Sequence, residues 1–165
     1  MALTTSLSAA ISGTYTATAG RAQDDYPISL THRQSFATGV AALQCDKVYD
    51  QERTVATSET LDLAGVLTDV FGAALTFVKI RAIMVEADAA NVNDVVVGGA
   101  GSNAWVGPFG ANTHTVAIQP GDMWMMTAAT TGWTVTPGSG DLLKVLNSSS
   151  GASVKYRIVI VGTSA

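Results

Sequence analysis

The sequence predicts an all-β protein, an antiparallel and jelly-roll-like β-sandwich that carries an extended N-terminal arm. Only 13% of the 165 residues are charged and 47% are apolar, which excludes intrinsic disorder and a helical rod rich in Glu, Lys and Arg. Short runs rich in β-branched residues recur at spacings of about ten residues, with Gly- or Pro-containing turns between them. Residues 1–45, by contrast, contain few large apolar side chains.

The first predicted unit, residues 1–45, is an extended arm or a pair of edge strands. Its Ala, Thr, Ser and Gly cannot bury much apolar surface, so we expect it to gain order from a neighbouring subunit. Leu3, Leu7 and Ile11 have the spacing of a helix face, but the Thr, Ser and Gly around them disfavour a helix. Residues 26–31 alternate with period two and predict a short strand with a proline near its start.

The second predicted unit, residues 46–165, is the sandwich body. Strands are predicted at 48–56, 59–63, 75–85, 92–97, 115–119, 123–127, 133–136, 142–146 and 154–161. Residues 67–72 predict a turn or a single helical turn that Gly72 ends. The strongest strand is 75–85, where Lys79 and Arg81 alternate with apolar residues as in a sheet with one solvent-facing side. No change of composition inside this unit marks a further domain.

Charge and residue counts limit the partners and cofactors. The net charge is −4 without a cluster of basic residues, so no nucleic-acid partner is predicted. Cys45 is the only cysteine, which excludes an intrachain disulfide and a cysteine-based zinc site. His32 and His114 have no neighbouring ligand at metal-binding spacing, so neither a metal nor another cofactor is predicted. The chain has no apolar run of about 18 residues and no signal-peptide pattern at its start, so we expect no membrane contact.

Motifs that could carry catalysis have simpler interpretations. Residues 99–104 match G-x-G-x-x-A, but a dinucleotide site needs a helix to begin there, and Gly107 and Pro108 follow at once. We therefore predict a loop. Asp122 and Asp141 each follow a glycine in a predicted turn, where an aspartate bonds the local backbone. No G-x-S-x-G nucleophile motif occurs, although a Ser-His-Asp triad depends on geometry rather than on sequence. We predict that the protein is not an enzyme.

Three tryptophans are candidate contact residues. Trp124 lies among methionines and is predicted to anchor the core, and Trp133 is predicted to lie in the core or at its rim. Trp105 lies in a Gly- and Pro-containing loop, where the sequence leaves burial and exposure equally open. It is the candidate contact with a partner. Because aromatic rings also stack on sugars, a carbohydrate-binding module that uses Trp105 or Trp133 is one alternative function.

The order of segments in the second unit carries a family resemblance. Residues 46–54 lead into 61–72, and the strand 77–85 is followed by 97–100, 118–121, 140–147 and 156–162. This order is similar to that of a group of small virion proteins of tailed bacteriophages. The resemblance covers residues 46–162 and implies a particle component without cofactor or catalytic residues.

The resemblance and the composition together predict a non-enzymatic structural component of a tailed-phage virion. We expect a capsid decoration or cement protein, assembled in the cytoplasm of the bacterial host, that binds the major capsid protein or other virion subunits. A surface with little charge suits a protein that its partners cover. We expect a homo-oligomer and take a trimer as the first guess. A structural protein of the tail or of a fibre is the second alternative.

Overall fold

The computed structural model describes residues 2–20 and 22–165, and its regular structure consists of strands. The N-terminal part contains β1 (Thr5–Ala19), β2 (Ala22–Thr38) and β3 (Gln44–Cys45). The body contains β4 (Lys47–Val55), β5 (Ser58–Asp62), β6 (Leu67–Thr68), β7 (Ala74–Leu75), β8 (Lys79–Ala87), β9 (Val95–Gly98), β10 (Thr115–Ile118), β11 (Met123–Thr127), β12 (Trp133–Thr134), β13 (Leu142–Asn147) and β14 (Val154–Thr163). No helix capable of crossing a membrane occurs in the described part of the chain.

The body is an antiparallel β-sandwich with jelly-roll topology. Its strands pair as nested hairpins: β4 with β14, β5 with β13, β8 with β11, and β9 with β10. Pairing of β8 with β14 and of β9 with β13 joins these hairpins into two sheets. The first sheet has the order β11-β8-β14-β4, with β12 beside β8, and the second has the order β10-β9-β13-β5. Eight strands in two such sheets form a jelly roll, which confirms the predicted fold class.

The core lies between the two sheets. Along β14, Val154, Tyr156, Ile158 and Ile160 are buried, while the intervening side chains include exposed charged ones. This alternation follows from the pleat, which points successive side chains to opposite faces. Leucines and valines of the facing sheet complete the same apolar cluster. The outer face of the first sheet points away from this core, and the N-terminal segment attaches to part of that face.

The N-terminal segment is a long antiparallel ribbon. β1 and β2 pair without a register shift from Thr5 opposite Phe36 to Ala19 opposite Ala22. The strand predicted at 26–31 is thus the middle of a much longer one. The spacing of Leu7 and Ile11, which resembles a helix, also fits a strand, because residues four apart lie on the same face of a strand. We call β1 and β2 together the ribbon.

Two predicted elements differ in detail from the structure. Of the two forms predicted for residues 67–72, the structure has the turn and not the helical turn: β6 and β7 form a small hairpin, and Gly72 (φ +81°) lies in its turn. The strand predicted at 75–85 is split between β7 and β8. The reason is that the backbone changes partners here, since Phe77 N donates to Leu63 O at 2.9 Å and Val78 N donates to Thr163 O at 2.8 Å.

Arg81 corrects the prediction that β8 presents both of its basic residues to solvent. The pairing of β8 with β14 shifts register between Val161 and Gly162, next to Arg81, and the Arg81 side chain is buried. Its guanidinium donates to Thr130 O at 2.5 Å and to Ala41 O at 3.0 Å. Because Ala41 follows the ribbon, Arg81 fastens the end of the ribbon to the body.

Candidate functional site

The register of the ribbon sorts its side chains onto two unlike faces. Residues directly opposite in an antiparallel pair share a face, so each rung of the ladder can be assigned. One face carries the large apolar side chains of the ribbon, which are Leu7, Ile11, Tyr15, Tyr26, Ile28, Leu30 and Phe36. The other carries mainly hydroxyl and charged side chains, among them Ser6, Ser8, Ser12, Thr14, Thr16, Asp25, Ser29, Thr31, Arg33 and Ser35. We call these the apolar face and the polar face.

The base of the apolar face packs against the body. Phe36 is buried with Cys45, Ala82 and Val161, and Leu7 packs at the margin of the same cluster. Ala82 and Val161 lie on the outer face of the first sheet, since their neighbours along β8 and β14 point into the sandwich core. At its base, the apolar face of the ribbon is therefore an interface between two parts of the same chain.

Further along the ribbon, the same face is uncovered. Ile11, Tyr15 and Leu30 are each 68% exposed, Tyr26 is 70% exposed and Ile28 is 44% exposed. Full burial of one such side chain is worth roughly 1.5–3 kcal/mol, and an isolated two-stranded hairpin is marginally stable at best in water. Side chains of this kind in unbroken succession mark a surface that another molecule covers.

A groove continues the apolar surface beside the base of the ribbon. It has a volume of about 250 Å³ and runs between residues 5–8 of β1 and the outer face of the first sheet. Met84, Met125 and Val159 line its floor. Methionine side chains adapt to differently shaped partners. The groove therefore adds to the surface that the apolar face of the ribbon offers to a partner.

A polar cluster between the sheets has a structural role. Glu59 Oε2 accepts hydrogen bonds from Arg53, one of them from Nε at 2.7 Å, and Glu59 Oε1 accepts one from Tyr156 Oη at 2.8 Å. Arg53 also donates to Tyr49 Oη at 3.2 Å. Burial, followed by the hydrogen bond to Glu59, raises the pKa of Tyr156 well above its usual value. These contacts link β4, β5 and β14, and each of the four polar side chains has a hydrogen-bond partner within the cluster.

Trp105, the candidate contact with a partner, whose burial the sequence left open, is buried in the structure. The side chain is 2% exposed, its Nε1 donates to Thr134 O at 3.2 Å, and its ring meets Phe109 and Trp133 edge to face at 6.3 and 6.0 Å. A Cβ on Gly107 would lie 2.6 Å from Trp105 Cζ2. The glycine that makes the loop look open in the sequence thus leaves room for the buried ring, and the ring is not presented to a partner.

The other two tryptophans lie where the sequence predicts. Trp124 and Trp133 are partly buried and pack against the sandwich core, and the Trp124 ring stacks on Phe109 at 5.5 Å. Met123 and Met126 of the same strand β11 are exposed. Met123 shares the outer face of the first sheet with Met125, whereas Met126 lies on the same face as Trp124.

The remaining candidates serve local structure. Asp141 Oδ2 accepts a hydrogen bond from Gly138 N at 2.5 Å, which confirms its predicted turn role. His114 Nδ1 lies 2.6 Å from Phe109 O within one loop. Residues 99–104 form a loop, as predicted. Burial raises the pKa of the Cys45 thiol to about 11. No cluster of three His, Cys, Asp or Glu side chains able to hold a metal occurs within residues 2–20 and 22–165.

The sequence prediction missed the apolar face, although the sequence contains a signal for it. Between residues 7 and 15 the larger side chains occupy every fourth position, with Ser, Ala, Gly or Thr between them, and residues 26–30 alternate with period two. Two alternating runs around Gly20 predict a hairpin with one apolar face. The signal is weak because Ala9 and Gly13 interrupt the apolar series.

Comparison of the chain with protein-family models, curated proteins and solved structures finds no match.

Proposed function

We propose that this protein is a non-enzymatic structural subunit of a tailed-phage virion, and specifically a decoration protein on the capsid shell. The proposal depends on one observation above all: a sandwich with a buried core carries an amphipathic ribbon whose apolar face is covered only at its base. The order of segments over residues 46–162 resembles that of small virion proteins, and this resemblance supports a phage particle as the assembly to which the chain belongs.

The ribbon suits a protein whose working state is an assembly. Its base is fixed to the body by the packing of Phe36 and by the hydrogen bond from Arg81 to Ala41 O. Its outer part offers apolar side chains that become buried only on assembly. A surface that binds only the assembled form stabilises that form by mass action, which is what a shell-stabilising protein does.

The jelly-roll body and its composition support the same proposal. Jelly rolls occur in viral capsid domains and in lectins, so the fold alone does not separate a structural role from sugar binding. The charge content of 13% favours the structural role, because a charge-poor surface suits contact with many neighbouring subunits. Burial of Trp105 also removes one of the two rings, those of Trp105 and Trp133, on which a sugar site could have relied.

Protein composition of purified particles tests the proposal. Particles of the phage that encodes this chain are separated into heads and tails, and each fraction is quantified by mass spectrometry against the major capsid protein. We expect the chain in the head fraction, in copy numbers comparable to the major capsid protein. A few copies confined to the tail fraction would indicate a tail or fibre protein instead, and absence from both fractions would reject a virion role.

A further inference from the structure

We infer that the apolar face of the ribbon is a homotypic interface, which packs against the same face of another copy of this chain. The inference deepens the proposed function, because it names the partner of the ribbon. It concerns the outer part of the ribbon, from the rung of Ile11 and Leu30 to the rung of Tyr15 and Tyr26.

The uncovered area is large enough for a specific interface between copies. A buried tyrosine contributes roughly 150–250 Å², so the two tyrosines with Ile11, Ile28 and Leu30 offer on the order of 500 Å² per copy. Two facing ribbons would bury about 1,000 Å², which is the lower limit for a specific interface. On the same face, the single rung of Ala9 and His32 separates this surface from the contact that Leu7 and Phe36 already make with the body.

Charge favours a like surface as the partner. Residues 11–15 and 26–30 contain no charged side chain, so two identical faces can meet without repulsion and without buried charge. Of the nearest charged residues, Asp25 and Arg33 belong to the polar face, whereas Asp24, opposite Ala17, lies on the apolar face one rung beyond Tyr15 and Tyr26 and so outside the proposed contact. A self-complementary surface of this kind is what a symmetric interface between identical subunits requires.

Gly13 supplies an independent observation. It lies in the middle of β1 on the apolar face, opposite Ile28, in an unbroken register. Its φ is not positive, and a Cβ built on it would meet no atom within 4 Å. Nothing within the chain therefore requires a glycine, although glycine weakens a strand and often marks the close approach of another backbone. The rungs on either side of it on this face carry large side chains. Gly13 therefore leaves a notch that a side chain of the second copy can fill.

Paired charge substitutions on the two faces test the inference. Leu30→Glu places a carboxylate on the apolar face, and Thr31→Glu places one on the neighbouring position of the polar face. Both parent side chains are exposed in the single chain. The molar mass of the full chain and of each variant is measured by light scattering after size exclusion, over a concentration series.

We expect the wild-type chain and Thr31→Glu to form the same oligomer, and Leu30→Glu to be monomeric at concentrations where they associate. Trp105, Trp124 and Trp133 all lie in the body, so unchanged tryptophan fluorescence shows that the body remains folded. A wild-type chain that is monomeric throughout the series overturns the inference. An oligomer that Leu30→Glu leaves intact overturns it too.

A second pair of variants tests the notch at Gly13. Valine favours strands, so Gly13→Val strengthens an isolated ribbon but overfills a packed face. We expect the dissociation constant of the oligomer to rise roughly tenfold or more, with Ser12→Val on the polar face as the matched control. Equal or tighter association of Gly13→Val would show that no second copy approaches this position.

The inference and the proposed function fail in different ways. If Leu30→Glu dissociates the oligomer but purified particles lack the chain, the homotypic interface holds and the virion role is rejected. If the chain is present in particles but Leu30→Glu leaves its oligomer unchanged, the virion role holds and the ribbon has a different partner.

Discussion

At the scale of single residues, small and buried side chains decide how the loops pack. Gly107 lies against both Trp105 and Trp133, and a Cβ there would approach Trp133 Cβ to 2.7 Å. A loop with glycine and proline usually indicates exposure. Here the same composition allows the loop to fold over a tryptophan, because only a residue without a side chain fits above the ring.

Gly107→Ala tests this packing. The added methyl group must displace the Trp105 ring or the backbone, so we expect a loss of about 1–3 kcal/mol in the free energy of unfolding and a change in tryptophan emission. Gly101→Ala is the matched control, because a Cβ there meets no atom within 4 Å. Equal stability of the two variants in urea unfolding would contradict the packing described for Trp105.

Tyr156 gives a second prediction at this scale, which concerns alkaline pH. Its pKa in the folded state is raised above the usual value of 10.0, first by burial and then by its hydrogen bond to Glu59. The unfolded chain therefore releases this proton first as the pH rises. The contribution of Tyr156 is fully present below about pH 10 and is lost above it, at up to about 1.4 kcal/mol per pH unit.

Urea unfolding of the wild-type chain and of Tyr156→Phe between pH 7 and pH 12 measures this contribution. We expect the variant to be less stable by about 1–2 kcal/mol at pH 7, since it lacks the hydrogen bond to Glu59. The difference should shrink above pH 10. Tyr49 and Cys45, whose pKa values are also raised, remain in both proteins and cancel. A difference that does not depend on pH would contradict the account.

At the scale of elements, the ribbon differs most from its prediction. The low apolar content of residues 1–45 predicts a segment without a core of its own, and Phe36 of this segment packs against Ala82 and Val161 of the body. The low apolar content does not show that β1 and β2 pair along their whole length, because pairing depends on register and on the turn near Gly20 rather than on composition. Phe36 and Leu7 could be recognised as anchors only once their contacts with Ala82 and Val161 are known.

A shortened ribbon tests the division between ribbon and body. Residues 9–32 are replaced by Asn-Gly, the preferred pair for a two-residue hairpin turn, so that Leu7 and Phe36 keep their contacts with the body. We expect the fluorescence and urea midpoint of the body to be retained and attachment to particles to be lost, as measured by co-sedimentation. Undiminished attachment would mean that the ribbon is not needed for assembly.

At the scale of the whole molecule, the fold class could be predicted from the sequence, but the residues at which strands begin and end could be predicted less well. Period-two alternation in residues 154–161, with Gly- and Pro-containing turns between runs, predicts a sandwich, and the structure confirms it. The split between β7 and β8 and the buried Arg81 could not be predicted, because both depend on which strands lie alongside. The sequence contains only a weak signal for the uncovered face of the ribbon, because the register is needed to place Leu30 on the same side as Ile11 and Tyr15.

The central claim is that the ribbon is covered in the assembled state, and amide hydrogen exchange over a protein concentration series tests it most directly. The account predicts that amides of residues 9–15 and 26–32 exchange slowly at high concentration and rapidly on dilution, while those of β8 and β14 stay protected throughout. Exchange of the ribbon amides that is the same at every concentration would contradict it.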